Sequence, residues 1–132
     1  CMNEYIKSVE IRWGDLDSNQ HVTHSKYYEF GAHIRMSFVL EHGCSLEAMN
    51  AFNFGPILFR EECVFRRELN VGEVVQINMK LTKARKDGSR WSVQHEIIKP
   101  DGALAAVMNA DLSWIDLTER KLTVPALAAA LI

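Results

Sequence analysis

The sequence has no paired cysteines. Cys1, Cys44 and Cys63 are odd in number and widely spaced. That excludes a disulfide framework and a zinc-type cysteine pair, and a reducing cytoplasm is the expected setting. Long apolar runs are also missing. Nothing approaches the roughly 20 consecutive apolar residues of a membrane helix, and no basic stretch followed by an apolar one marks a secretory leader. There is no excess of either charge. Lys and Arg number 15 against 17 Asp and Glu, for a net charge of −2 and a pI near 6.2. A general nucleic-acid binder is normally basic, so neither nucleic acid nor membrane is expected as a partner. Repeats, low-complexity tracts and linkers are absent as well. What remains is a chain of 132 residues, 48% hydrophobic. Such a chain is expected to form one domain over residues 1–132, with a core that needs no staples.

The apolar pattern has two periods. Residues 5–13 read as a strand, with Tyr5, Val9, Ile11 and Trp13 on one face. Residues 25–42 read as a helix, since Tyr27, Phe30, Ile34 and Phe38 recur at helical spacing. Met36, Val39 and Leu40 widen that stripe, which predicts a largely enclosed helix. Gly31 inside it costs propensity but permits a close approach. Residues 45–56 are mixed. Period two then takes over: residues 57–67 place Phe59, Glu61, Cys63 and Phe65 on one face, and residues 73–83 alternate cleanly. Turn signals at "KDG" (86–88) and "PDG" (100–102) separate two further strands, the last over residues 103–115. Pro125 opens a short apolar tail of one or two helical turns. One strand, one long helix and four strands on short turns predict a two-layer α+β domain with an antiparallel sheet.

The chemistry gathers in "RWGDLDSNQHVTHSKYYEF", residues 12–30. Asp15, Asp17, Asn19 and His21 alternate like calcium ligands, but the sixth and twelfth loop positions hold Gln20 and Lys26 rather than Gly and Glu. No HExxH-type spacing supports another metal, so no metal is expected. Asp, Ser, Asn and Thr also serve as plain loop and cap formers, and Thr23 or Ser25 is placed to cap the helix. Asp15 is placed to pair with Arg12 or with turn amides. A third reading is catalytic. Unpaired N–H groups at a helix start stabilise a developing oxyanion, and a nearby carboxylate serves as nucleophile or as base for water.

This stretch resembles the signature of hotdog-fold acyl-CoA thioesterases of the 4-hydroxybenzoyl-CoA thioesterase-like group. Asp17 falls on that group's catalytic aspartate, Val22 and Tyr27 on its apolar and aromatic positions, and His24 where many members carry histidine. "ECVFRRELNVGEVVQI" is similar to the group's segment in which a strand ends in a basic stretch. Many members carry glycine near positions 19 to 21, where this chain has Asn19, Gln20 and His21.

The resemblance implies a hotdog fold, a five-stranded antiparallel sheet wrapped around one long central helix. It implies hydrolysis of acyl-CoA to a free acid and coenzyme A, without a cofactor. A buried Asp17 would act as nucleophile or general base, with N–H groups near His24 polarising the carbonyl. His21 is a candidate pocket residue and Glu61 a candidate second acid, because an apolar strand face must give a carboxylate a partner or a raised pKa. Arg66, Arg67, Arg85, Lys86 and Arg90, with Lys83, form a candidate basic cluster for the CoA phosphates. Tyr27, Tyr28 and Phe30 are expected in the core or at a subunit contact. Self-association as a homodimer or homotetramer is implied, with sites at the dimer interface. Acyl carrier protein as the carrier, or binding of acyl-CoA without turnover, are the alternatives.

Overall fold

The computed structural model describes residues 5–131. Its elements run β1 (Tyr5–Glu10), α1 (His24–Glu41), α2 (Leu46–Ala51), β2 (Phe54–Phe65), β3 (Val74–Ala84), β4 (Arg90–Ile98) and β5 (Leu104–Asp116). Short 3-10 turns occupy Trp13–Asp15 and Ala126–Leu131, the latter in the apolar tail. The strands form one antiparallel sheet in the order β1-β3-β4-β5-β2. The two strands that flank α1 in sequence therefore become the two sheet edges. The helix must cross the sheet between them.

Period two sorts the sheet into a core face and an outer face. Val75, Ile77 and Met79 of β3 are buried, as are Trp91, Val93 and Ile97 of β4 and Met108, Leu112 and Trp114 of β5. Against them α1 lays Tyr27, Phe30, Ile34, Phe38 and Val39, in one continuous cluster. Each such side chain stabilises the fold by roughly 1.5–3 kcal/mol through apolar area removed from water. Gly31 lets the helix come close: a Cβ there would stand 3.2 Å from both Met108 Cε and Arg35 Nη1. The opposite side of α1, including Ala32, His33 and Glu41, is exposed, so a single chain does not enclose the helix. No helix among the described residues is long and apolar enough to cross a membrane.

Three expectations need correction. The first strand stops at Glu10, and Trp13 is 75% exposed rather than on the core face. The Asp15 carboxylate accepts the Arg12 N–H at 2.9 Å and folds the backbone into a turn there. The segment 45–56 hides α2, whose start is capped by Ser45 accepting from the Ala48 N–H at 3.1 Å. Phe59 does not share a face with Glu61. The register of β2 against β5 shifts between Leu58 and Arg60. A bulge of this kind inserts one residue and sends it to the other side. Phe59 accordingly lies under the Arg90 guanidinium, 4.8 Å from ring centroid to Cζ. Glu61, Cys63 and Phe65 keep their common face.

Candidate active site

The loop before α1 is a small closed hairpin. Leu16 and Val22 form an antiparallel bridge. The Asp17 N–H donates to the His21 carbonyl at 2.8 Å, and the Gln20 N–H to the Asp17 carbonyl at 3.0 Å. Gln20 sits at φ +65°, in the left-handed region that favours glycine. The glycines common near this position in the resembling family thus have a physical counterpart here, occupied by glutamine.

The two aspartates do different work. Asp15 is 2% exposed. It holds the Arg12 N–H and lies 3.8 and 3.9 Å from the Arg12 and Lys26 side-chain nitrogens. That is the structural role expected of it. Asp17, expected to be buried, is exposed in the single chain. Its Oδ1 accepts the N–H groups of Asn19 at 2.8 Å and His21 at 3.1 Å. Among the described residues Oδ2 has no hydrogen-bond partner. One oxygen is anchored and the other is presented.

The helix start beside this loop is open. Thr23 is the N-cap residue, but its side chain does not bond the helix amides and meets the Ser25 hydroxyl at 3.3 Å instead. His24 opens α1, as expected. Its ring stacks on Phe65 with centroids 4.6 Å apart, and Tyr27 meets the same ring at 4.8 Å. A cleft of about 320 Å³ runs here between the loop and the end of β2, lined by His21, Val22, His24, Tyr27 and residues 65–69. His21 lines it while paired with Glu68 at 3.3 Å. Arg66 and Arg67 also stand at this cleft, where both backbone N–H groups turn to the Ala105 carbonyl.

The expected single basic cluster is in fact two. Arg85, Lys86 and Arg90 belong to the β3–β4 hairpin, and Arg90 pairs in register with Ser113. Phe65, at the other end of β2, pairs with Ala106. Antiparallel pairing therefore puts the hairpin at the opposite end of the sheet from Arg66 and Arg67. With Lys83 and Phe59 it lines a separate groove of about 450 Å³.

Glu61 has the partner it was expected to need. Its Oε2 accepts from Arg35 Nη2 at 3.0 Å. Arg35 is 5% exposed, and its Nη1 lies 3.1 Å from His95 Nε2. His95 is fully buried, with Nδ1 3.0 Å from the Asn78 carbonyl. A carbonyl only accepts, so Nδ1 carries the proton and Nε2 accepts from Arg35. Burial, then the adjacent guanidinium, lowers the His95 pKa to about 4, which keeps the ring neutral. Burial also lowers the Arg35 pKa, opposed by Glu61. Sequence reading missed Arg35 and His95. The signal for His95 was its place in "WSVQHEI", in step with Trp91, Val93 and Ile97. Among the described residues no three His, Cys, Asp or Glu side chains converge as a metal site.

An antiparallel sheet curled on one long helix, with an acidic hairpin leading into that helix, defines the hotdog class of α+β protein. The chain belongs to the Thioesterase-like superfamily, which it matches over residues 11–131. No curated protein matches it significantly by sequence. Among solved structures it resembles the Staphylococcus aureus protein SAV2348, characterised in complex with CoA, at TM-score 0.89 and 17% identity over 97% of this chain and 80% of that one. It resembles Slr0204, a 1,4-dihydroxy-2-naphthoyl-CoA thioesterase from Synechocystis, at TM-score 0.82 and 19% identity over 96% of both chains. YbaW, a probable thioesterase from Escherichia coli, follows at TM-score 0.77 and 24% identity over 96% of this chain and 92% of that one.

Proposed function

We propose that the protein hydrolyses an acyl-CoA thioester to a free carboxylic acid and coenzyme A. The observation that carries this reading is the presentation of Asp17. Two backbone N–H groups fix Oδ1 and leave Oδ2 free at the start of a helix whose cap is open. Oδ2 serves as nucleophile on the thioester carbon or as base for the attacking water. The uncapped amides near His24 receive the carbonyl oxygen, where charge develops in the transition state. Water contributes its hydroxyl to the acyl group, and its proton ends on the departing CoA sulfur. Membership of a thioesterase superfamily and the CoA complex of a similar structure support this substrate class.

Arg66 and Arg67, at the cleft, are the candidates for the CoA phosphates. Arg85, Lys86 and Arg90 reach it only from another subunit. The edge strand β2 is the natural dimer contact. It exposes Leu58, Val64 and Phe65 beside unpaired backbone groups, and a second copy there would cover Asp17 and the cleft. We place the reaction in the cytoplasm, where free thiols such as Cys44 and Cys63 persist.

Thiol release from a panel of short, long, branched and aromatic acyl-CoAs tests this, with wild type and Asp17→Asn side by side and acyl carrier protein as a second carrier. Turnover that the folded variant loses is the expected result. Equal rates in both remove Asp17 from the chemistry. Intact thioester with saturable binding makes the protein a binder.

A further inference from the structure

We infer that His21 is the acid that protonates the departing CoA sulfur, with Glu68 positioning its ring; this rests on the acyl-CoA reading above. The loop that presents Asp17 also carries this histidine to the cleft. The His21 N–H donates to Asp17 Oδ1 at 3.1 Å, so the imidazole hangs from the residue that anchors the carboxylate. Rotation about its two side-chain bonds keeps the ring within reach of Asp17. His21 lines one side of the cleft and Glu68 the other, and His21 Nε2 stands 3.3 Å from Glu68 Oε1. A carboxylate only accepts, so this pair keeps a proton on Nε2 and leaves Nδ1 as the nitrogen that exchanges protons. Among the described residues Nδ1 has no hydrogen-bond partner. The other histidine of the loop is engaged differently, because the His24 ring is stacked on Phe65.

Folding does not call for the His21–Glu68 pair. Both side chains are exposed in the single chain, where such a pair adds little stability. The hairpin is already closed by the Leu16–Val22 bridge and by the backbone bonds of Asp17. The chemistry does call for a proton donor, since an alkyl thiolate leaves more readily when protonated. With Asp17 as base, Oδ2 takes a proton from water as the water oxygen bonds to the thioester carbon. The tetrahedral adduct collapses, the C–S electron pair goes to sulfur, and the Nδ1–H of a doubly protonated ring gives sulfur its proton. Asp17 then passes its proton to Nδ1, which restores both groups. With Asp17 as nucleophile, the water that hydrolyses the acyl-Asp17 anhydride gives that proton to Nδ1 instead. In both routes water supplies the hydroxyl of the acid and the hydrogen of the thiol.

The test uses one acyl group, the best of the panel above, on two thiols. Coenzyme A is a poor leaving group that gains from a proton; thiophenol leaves without one. His21→Gln keeps the N–H on Asp17 and loses the acid. Its melting temperature should hold, and its kcat on the acyl-CoA should fall by about 10²-fold with KM within about threefold. Its kcat on the S-phenyl thioester should fall by less than about threefold. Glu68→Ala should show the same selectivity with a loss of about tenfold, as a positioning residue does. An unchanged kcat on the acyl-CoA overturns the inference, and so does an equal loss on both thioesters, which marks His21 as structural. If wild type leaves the phenyl ester intact, His21→Ala on the acyl-CoA decides: rescue by added imidazole above the enzyme-free rate supports the inference, and no rescue overturns it. Turnover lost in Asp17→Asn but untouched in His21→Gln removes this inference alone. If wild type hydrolyses no acyl-CoA, the thioesterase reading falls and this one with it.

Discussion

At the scale of single residues, the hairpin before α1 separates two carboxylates two positions apart. Asp15 is buried because its charge neutralises Arg12 and Lys26 and its oxygen closes a turn. Asp17 points outward because its anchors are the amides of its own loop. Asn at position 17 retains an oxygen that accepts those two N–H groups but cannot serve as base or nucleophile. Asp17→Asn should therefore keep its melting temperature while kcat falls by about 10²- to 10⁴-fold, as loss of a general base does. A fall in both would mark Asp17 as a loop brace. His24 gives the complementary case. Its side chain stacks on Phe65, whereas the proposed role belongs to its backbone. His24→Ala should lower kcat by less than about tenfold, compared with the 10²- to 10³-fold of a lost oxyanion donor. A larger loss, with a changed pH profile, would give the imidazole a chemical part.

At the scale of elements, the hairpin holds Gln20 at φ +65°. A side chain in that region costs about 1–2 kcal/mol, against roughly 0.5–1 kcal/mol for the extra backbone freedom of glycine when unfolded. Gln20→Gly should thus be neutral or stabilising by up to about 1.5 kcal/mol in urea unfolding, and a clear destabilisation would mean that the Gln20 side chain holds the loop. The helix–sheet contact makes a pH prediction. His95 titrates near 6.5 when unfolded and at about 4 when folded. Between those values the unfolded chain binds a proton that the folded chain does not. The stability from this group is present above pH 6.5 and is lost as pH falls toward 4. It amounts to roughly 2–3 kcal/mol between pH 7 and about pH 4.5. His95→Gln should flatten that part of the curve, and wild-type and variant curves that stay parallel would refute the assignment.

These same elements show what a sequence discloses. The strands and α1 were legible because burial imposes a period on each, so Ile77 and Met79, or Phe30 and Ile34, announce their face. The Asp17 loop was legible through its likeness to a known signature, and the position of His24 at the helix start followed from where the helical period begins. The bulge at Phe59 was not legible, because one inserted residue depends on the partner strand β5 and leaves no local mark. Nor was the Arg35–His95 contact. It joins residues 60 apart in sequence, set together only by the helix crossing the sheet. The division of the basic residues into two ends likewise follows from strand direction, which composition does not carry.

At the scale of the whole molecule, the open features lie on one side. The β2 edge, the uncovered Asp17 and the cleft at the start of α1 would all be closed by one contact between two copies. A twofold axis beside β2 would continue the sheet from one chain into the next and satisfy the edge N–H and C=O groups. Exposed Leu58, Val64 and Phe65 supply apolar area to that contact. Val64 lies on the outer face, away from Glu61, Cys63 and Phe65, so changing it leaves the proposed site untouched within its own chain. Wild type should sediment as a dimer or tetramer. Val64→Lys sets two like charges near the axis and should shift the protein toward monomer. Activity should fall in step with the dimer fraction and recover as protein concentration is raised. If the folded variant is monomeric and fully active, each chain holds a complete site and the edge serves assembly alone. If it remains a dimer, the contact lies elsewhere, and the outer face of the sheet becomes the surface to alter next.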